Sequence, residues 1–166
     1  FHSEVPMSSL SAVLSARAAL SDLTPLLTDC GRLCGFACCK GDEQTGMLLF
    51  PGEEALFAPC AFGRVIPAHF ELAGRPAHLF VCNGTCSREN RPLACRLFPL
   101  FLHFKKDGSP HVKLDVRAKA VCPLCDYGVI GLRTEFVAAA KTAYAALMED
   151  DECAAFLRAL DEAFSL

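Results

Sequence analysis

The chain has 166 residues, of which 52% are apolar and 11 are cysteine, and it carries a net charge of −3. That length fits one domain with a real core, and a sequence pI of about 5.9 excludes the basic field that nucleic-acid binding requires. Mean hydropathy is high at +0.31, yet the most apolar run, Leu97 to Phe104, is far shorter than the roughly 20 residues that cross a bilayer.

The N-terminus lacks a basic region followed by a compact apolar run, so no secretory leader is expected. Met7 reads as the natural start, with Phe1 to Pro6 an appended stretch, and the expected compartment is the cytoplasm. Ser9 to about Thr28 reads as a helix, because Leu10, Val13, Leu14, Arg17 and Leu20 recur at helical spacing and Pro25 marks a break. Residues 30–46 hold Gly31, Gly35, Gly41 and Gly46 among their cysteines and read as an irregular loop wrapped around a ligand. Met47 to Phe50 fits a short strand, and Pro51-Gly52-Glu53-Glu54 opens a short helix with acids at its N-terminus.

From Arg64 the pattern alternates. Ile66, Ala68, Phe70 and Leu72 share a face, Gly74-Arg75-Pro76 turns the chain, and Leu79 and Val81 return it to Cys82. A second hairpin pairs Leu100, Leu102 and Phe104 with Val112, Leu114 and Val116 around Lys106 to Pro110. Its outward side is expected to carry His111, Lys113, Asp115 and Arg117. Two helical stripes close the chain over residues 134–166: Phe136, Ala140, Tyr144 and Leu147, then Cys153, Phe156, Leu157, Leu160 and Phe164. Glu149-Asp150-Asp151-Glu152 between them reads as a solvated turn with an N-cap. The expected fold class is α+β: a small single domain, 1–166, with two β-hairpins, flanking helices and a cysteine-ligated metal site in irregular loops.

The cysteines carry the chemistry. An odd count and the adjacent pair Cys38-Cys39 fit a disulfide framework poorly, since neighbouring cysteines bridge only with strain. Clustered thiols converging on one point instead suit zinc or an iron–sulfur cluster, each of which takes about four cysteines. Cys122-x-x-Cys125 is a common chelating spacing. Cys60 lacks chelating neighbours and Cys153 lies on an apolar helical stripe, so both read as buried small hydrophobes.

Cys34-x3-Cys38-Cys39, Cys82-x3-Cys86, the segment Arg91-Pro92-Leu93-Ala94-Cys95-Arg96-Leu97-Phe98-Pro99 and Cys122 together resemble the YkgJ-type cysteine-cluster family, described as a zinc- or iron-chelating domain. The resemblance covers roughly residues 30–125 and implies Cys34, Cys38, Cys39, Cys82, Cys86, Cys95 and Cys122 as metal ligands. Three residues separate Cys34 from Cys38 where two is the commoner spacing, which leaves Cys30 or Cys34 as the outermost ligand. A multi-thiolate site is anionic, so Arg91 and Arg96, flanking Cys95, are candidates to stabilise a bound cofactor; ordinary ion pairing is the alternative role. Pro92 suits the first turn of a short helix whose N-terminal amides could face sulfur.

No nucleophile elbow, phosphate loop or dinucleotide fingerprint is present in the sequence. The histidines are scattered, and His103 and His111 are placed to meet across the second hairpin as solvated side chains. Lys105, Lys106, Lys113, Arg117 and Lys119 give that hairpin a modest basic face. The expected function is metal binding, with no nucleic-acid or membrane partner. A second reading is an iron–sulfur-dependent protein-modifying enzyme, on a similarity of the cysteine cluster to flagellin lysine N-methylase.

Overall fold

The structure, a computed structural model, describes residues 4–21, 23–26, 46–57, 63–83, 90–120 and 122–164. The glycine-rich loop expected at 30–46 lies, but for Gly46, outside the described residues.

Helix α1 spans Glu4–Leu20. It starts earlier and stops sooner than its periodicity predicts, ending where Ser21 takes a left-handed φ of 50°. The Ser21 N–H closes the last turn on the Arg17 carbonyl at 3.0 Å. The buried stripe is Ser9, Val13, Ala16 and Leu20, while Leu14 is 46% exposed. The i, i+4, i+7, i+11 stripe thus runs through a serine and an alanine, and Leu14 falls on the water side.

Strand β1 (Met47–Leu48), strand β2 (Gly63–Leu72) and strand β3 (Arg75–Cys82) form one antiparallel sheet in the order β1-β3-β2. The β2–β3 turn is Ala73-Gly74, both at positive φ (53° and 76°), which matches the right-handed twist of a two-residue hairpin. Arg75 and Pro76, expected in the turn, are instead the first paired residues of β3, opposite Leu72 and Glu71. A register shift between Pro67 and Glu71 interrupts the ladder. Both faces of this sheet are used. Leu72, Ala77 and Leu79 join the main core, whereas Phe80 faces Leu49 and Phe57 in a second, smaller cluster that Val65 and Cys82 flank. Phe57 and Phe80 pack tilted with centroids 5.1 Å apart.

A short helix α2 (Leu93–Leu97) leads through the cis Phe98-Pro99 peptide into strand β4 (Leu100–Phe104), which pairs with strand β5 (Pro110–Leu114). Leu100, Phe101 and Leu102 are all buried, so β4 is packed on both faces rather than alternating. The tight turn places Gly108 at φ 86°, and Asp107 accepts hydrogen bonds from the Ser109 N–H and hydroxyl at 2.9 and 2.6 Å.

Helices α3 (Thr134–Met148) and α4 (Asp151–Phe164) follow. Phe136, Ala140, Tyr144 and Leu147 are buried on α3, and Cys153, Phe156, Leu157 and Leu160 on α4, as their spacing predicts. Each fully buried Phe or Leu of these stripes contributes about 1.5–3 kcal/mol. Helix α1 lies against α3, and both helices carry small buried residues, Ala16 on α1 and Ala140 and Ala143 on α3. The acidic turn is not merely solvated. Asp150 caps α4 by accepting the Cys153 N–H at 2.9 Å, and the Ser9 hydroxyl bonds Asp150 and Glu152 at 3.0 and 3.1 Å. The architecture is α+β: the described residues form four α-helices and two small antiparallel sheets.

Candidate metal centre

Of the proposed ligands, Cys82, Cys95 and Cys122 are described, together with Cys125; Cys34, Cys38, Cys39 and Cys86, like Cys30 and Cys60, lie outside the described residues. Cys82 is the last residue of β3, opposite Gly63, and is partly buried beside the Phe57–Phe80 cluster. The hairpin does deliver it at a strand end. Cys95 sits in the middle of α2 and is half-buried.

The region around Cys95 is built on a residue that sequence reasoning read only as an acid at a helix start. Glu53 is fully buried. Its Oε2 accepts the Leu93 N–H at 2.6 Å, and its Oε1 accepts the Phe50 N–H at 3.0 Å. Arg17, from the last turn of α1, lies 3.5 Å from the same carboxylate. Burial pushes the Glu53 carboxyl above its ordinary range, against the opposing pull of the two N–H donors and Arg17. The leading amide of α2 is therefore taken by Glu53 and does not face sulfur, and Pro92 is the N-cap rather than a first-turn residue.

Arg91 and Arg96 are drawn into the same corner. The Arg91 carbonyl accepts from Arg17 Nη1 and from Arg96 Nε, the latter at 3.4 Å. Arg96 Nη1 donates to the Ser21 carbonyl, past the end of α1. These bonds clamp α2 to the C-terminal end of α1, so the helix that carries Cys95 is held from two sides by Glu53 and Arg96.

Cys122 and Cys125 form the second described position. Cys122 is buried and Cys125 half-buried, and the turn Pro123–Tyr127 between and beyond them is 3-10 helix. The Cys125 N–H bonds the Cys122 carbonyl at 3.2 Å. The two thiols interact: the Cys125 pKa is pushed up to about 11, first by burial, then by the charge and hydrogen bond of Cys122, with Asp115 and Asp126 adding negative potential. A cation bound to both sulfurs would stabilise them as thiolates, releasing protons as it binds. Among the described residues no group of three or more His, Cys, Asp or Glu is placed to hold a metal ion. Cys122 and Cys125 could supply at most two of the four sulfurs of a tetrahedral site.

Cys153 stands apart. It is fully buried on α4 with its thiol 3.9 Å from the Ser9 carbonyl, and burial drives its pKa far upward, as expected of a small core hydrophobe. His103 and His111 do meet across β4 and β5, edge to face at 5.6 Å. His103 is not simply solvated, because its Nδ1 lies 2.9 Å from the largely buried Asp161. Asp115, expected on the outward side, is 5% exposed and holds Arg117 through Oδ1 and Oδ2 at 3.0 and 2.6 Å.

Comparison with protein-family models, curated proteins and solved structures finds no match for this chain. No described helix is long and apolar enough to cross a membrane.

Proposed function

We propose that this chain is a cytoplasmic metal-binding protein of the YkgJ-type cysteine-cluster kind, holding zinc or an iron–sulfur cluster through ligands drawn from Cys34, Cys38, Cys39, Cys82, Cys86, Cys95 and Cys122, with Cys125 the further candidate. The observation that carries the reading is the Cys122–Cys125 pair: two cysteines joined across the start of one 3-10 turn, the Cys125 N–H bonding the Cys122 carbonyl at 3.2 Å. Such a pair supplies two of the four sulfurs that either centre requires. Cys95 supports the reading from a different direction. Its helix is pinned by Glu53 and Arg96, the kind of preset position that lowers the ordering cost of a ligand. A bound zinc would cross-link chain segments far apart in sequence, and an iron–sulfur cluster would add one-electron chemistry at the same sulfurs.

The test is elemental analysis of protein purified without air. Stoichiometric zinc, or iron with acid-labile sulfide and a broad absorbance near about 400 nm, is the expected result. Serine at positions 39, 86 and 95 together should remove most of that metal, and Cys122→Ser with Cys125→Ser should do the same. Metal content that survives both sets of substitutions, or a native sample free of zinc and iron, would sink the proposal.

A further inference from the structure

A cavity of about 440 Å³ opens between β4, α2, β1 and α4, within the size range of small-molecule sites. Leu79, Leu97, Leu102, Phe156 and Leu160 are among the apolar residues that line it, and its polar lining includes Asp115, Arg117 and Tyr144. The polar groups are preset. Asp115 is 5% exposed and spends both carboxylate oxygens on Arg117. The Arg117 guanidinium lies 4.7 Å from the Phe164 ring centroid and 5.6 Å from that of Phe101. The Tyr144 hydroxyl donates to the Leu100 carbonyl at 3.3 Å.

Donor counting identifies the ligand's polar end. A guanidinium has five N–H donors, and Asp115 takes those of Nε and one on Nη2. Both Asp115 oxygens already accept from Arg117, so what the pair still has to offer a ligand is N–H from Arg117. A ligand must therefore bring an oxygen acceptor to this end and hydrocarbon to the rest. A carboxylate head adds a charge-assisted hydrogen bond to the Arg117 donors, which a neutral oxygen provides more weakly and a cationic head not at all. We propose that this cavity is a binding site for an aliphatic carboxylate, a fatty-acid-like molecule whose head group accepts from Arg117 and whose chain lies among Leu79, Leu97, Leu102, Phe156 and Leu160. Arg117 is 41% exposed at its side chain, which leaves the head group a route from solvent. Among the described residues that line the cavity there is no cysteine.

The experiment is calorimetric titration of the full-length chain with dodecanoate and, in parallel, dodecanol, both below their aggregation limits. Saturable one-to-one binding of dodecanoate is expected. Arg117→Met should weaken dodecanoate roughly tenfold or more while changing dodecanol less than about twofold, the difference expected for loss of a charge-assisted hydrogen bond. Leu160→Phe and, on another wall, Leu79→Phe should each block both molecules by filling the space. Should either variant misfold, nuclear Overhauser contacts between dodecanoate methylenes and the Leu79, Leu102 and Leu160 methyls of the unaltered protein decide the matter. Absence of saturable binding, equal losses for acid and alcohol in Arg117→Met, or no contacts to those methyls would each overturn the assignment.

Discussion

Glu53 shows how much one side chain can organise. It stands fully buried between the backbone N–H groups of Phe50 and Leu93, with Arg17 at 3.5 Å. Glutamine in its place offers one oxygen to two N–H donors, so one is left facing an amide NH₂. Glu53→Gln should therefore cost about 1–3 kcal/mol, and Glu53→Ala, which strands both donors and Arg17, about 3–5 kcal/mol, measured by urea unfolding. The pH dependence separates the two effects. Burial raises the folded-state pKa of Glu53 above its ordinary 4.5, so the folded chain binds this proton more tightly than the unfolded chain. Its contribution is complete below pH 4.5 and is lost as pH rises from there through the folded-state pKa. Glu53→Gln should lack that decline, flattening the unfolding free energy over this window relative to the unaltered protein; parallel profiles would contradict the shift. Nothing in the sequence distinguishes Glu53 from Glu54, because both follow a Pro-Gly turn. The difference lies in Leu93 and Arg17, which approach only after the chain has folded.

At the scale of elements, the first hairpin depends on a close approach at its open end. A Cβ on Gly63 would come within 2.3 Å of the Phe80 ring and 2.6 Å of the Val81 carbonyl. Gly63 pairs with Cys82, so a side chain there would push on the strand end that carries a proposed ligand. Gly63→Ala should cost about 1–3 kcal/mol through overpacking. Gly74→Ala tests the contrast, because its φ of +76° is unfavourable while the space around it is open; its cost should be about 1 kcal/mol, from backbone strain alone. Urea midpoints rank the two, and a Gly63→Ala variant as stable as the parent would remove the steric account. The hairpin itself was legible in the alternation of residues 64–82, but its turn was displaced from Gly74-Arg75-Pro76 to Ala73-Gly74. This two-residue turn takes positive φ at both positions, as the type I′ form requires, and Ala73 gives no local sign of accepting that conformation. Its selection comes from the pairing of Leu72 with Arg75 across the hairpin end.

Over the whole molecule, one main core draws on α1, both sheets, α3 and α4, with a smaller cluster under the opposite face of the first sheet. If cysteines from separate segments share a metal, removing it should loosen the molecule beyond the site. Confirmed metal removal by a strong chelator should lower the melting temperature by roughly 5 °C or more, given the 2–4 °C that each kcal/mol moves a chain of this size; an unchanged melting temperature would count against a shared centre. What the sequence determined by itself was periodicity and spacing. The stripes of α3 and α4, the alternation of the hairpins, and the Cys122-x-x-Cys125 interval are local in origin, since side-chain direction follows from position along a helix or strand. Only tertiary structure decided which polar groups go inside. Glu53, Asp115 and Asp150 look alike as acidic residues in surface-like stretches, yet one anchors α2, one orients Arg117 at the mouth of a cavity, and one caps α4 while receiving Ser9. Burial of a charge is settled by the donors that distant segments bring to it, and those donors are invisible until the chain has closed on itself.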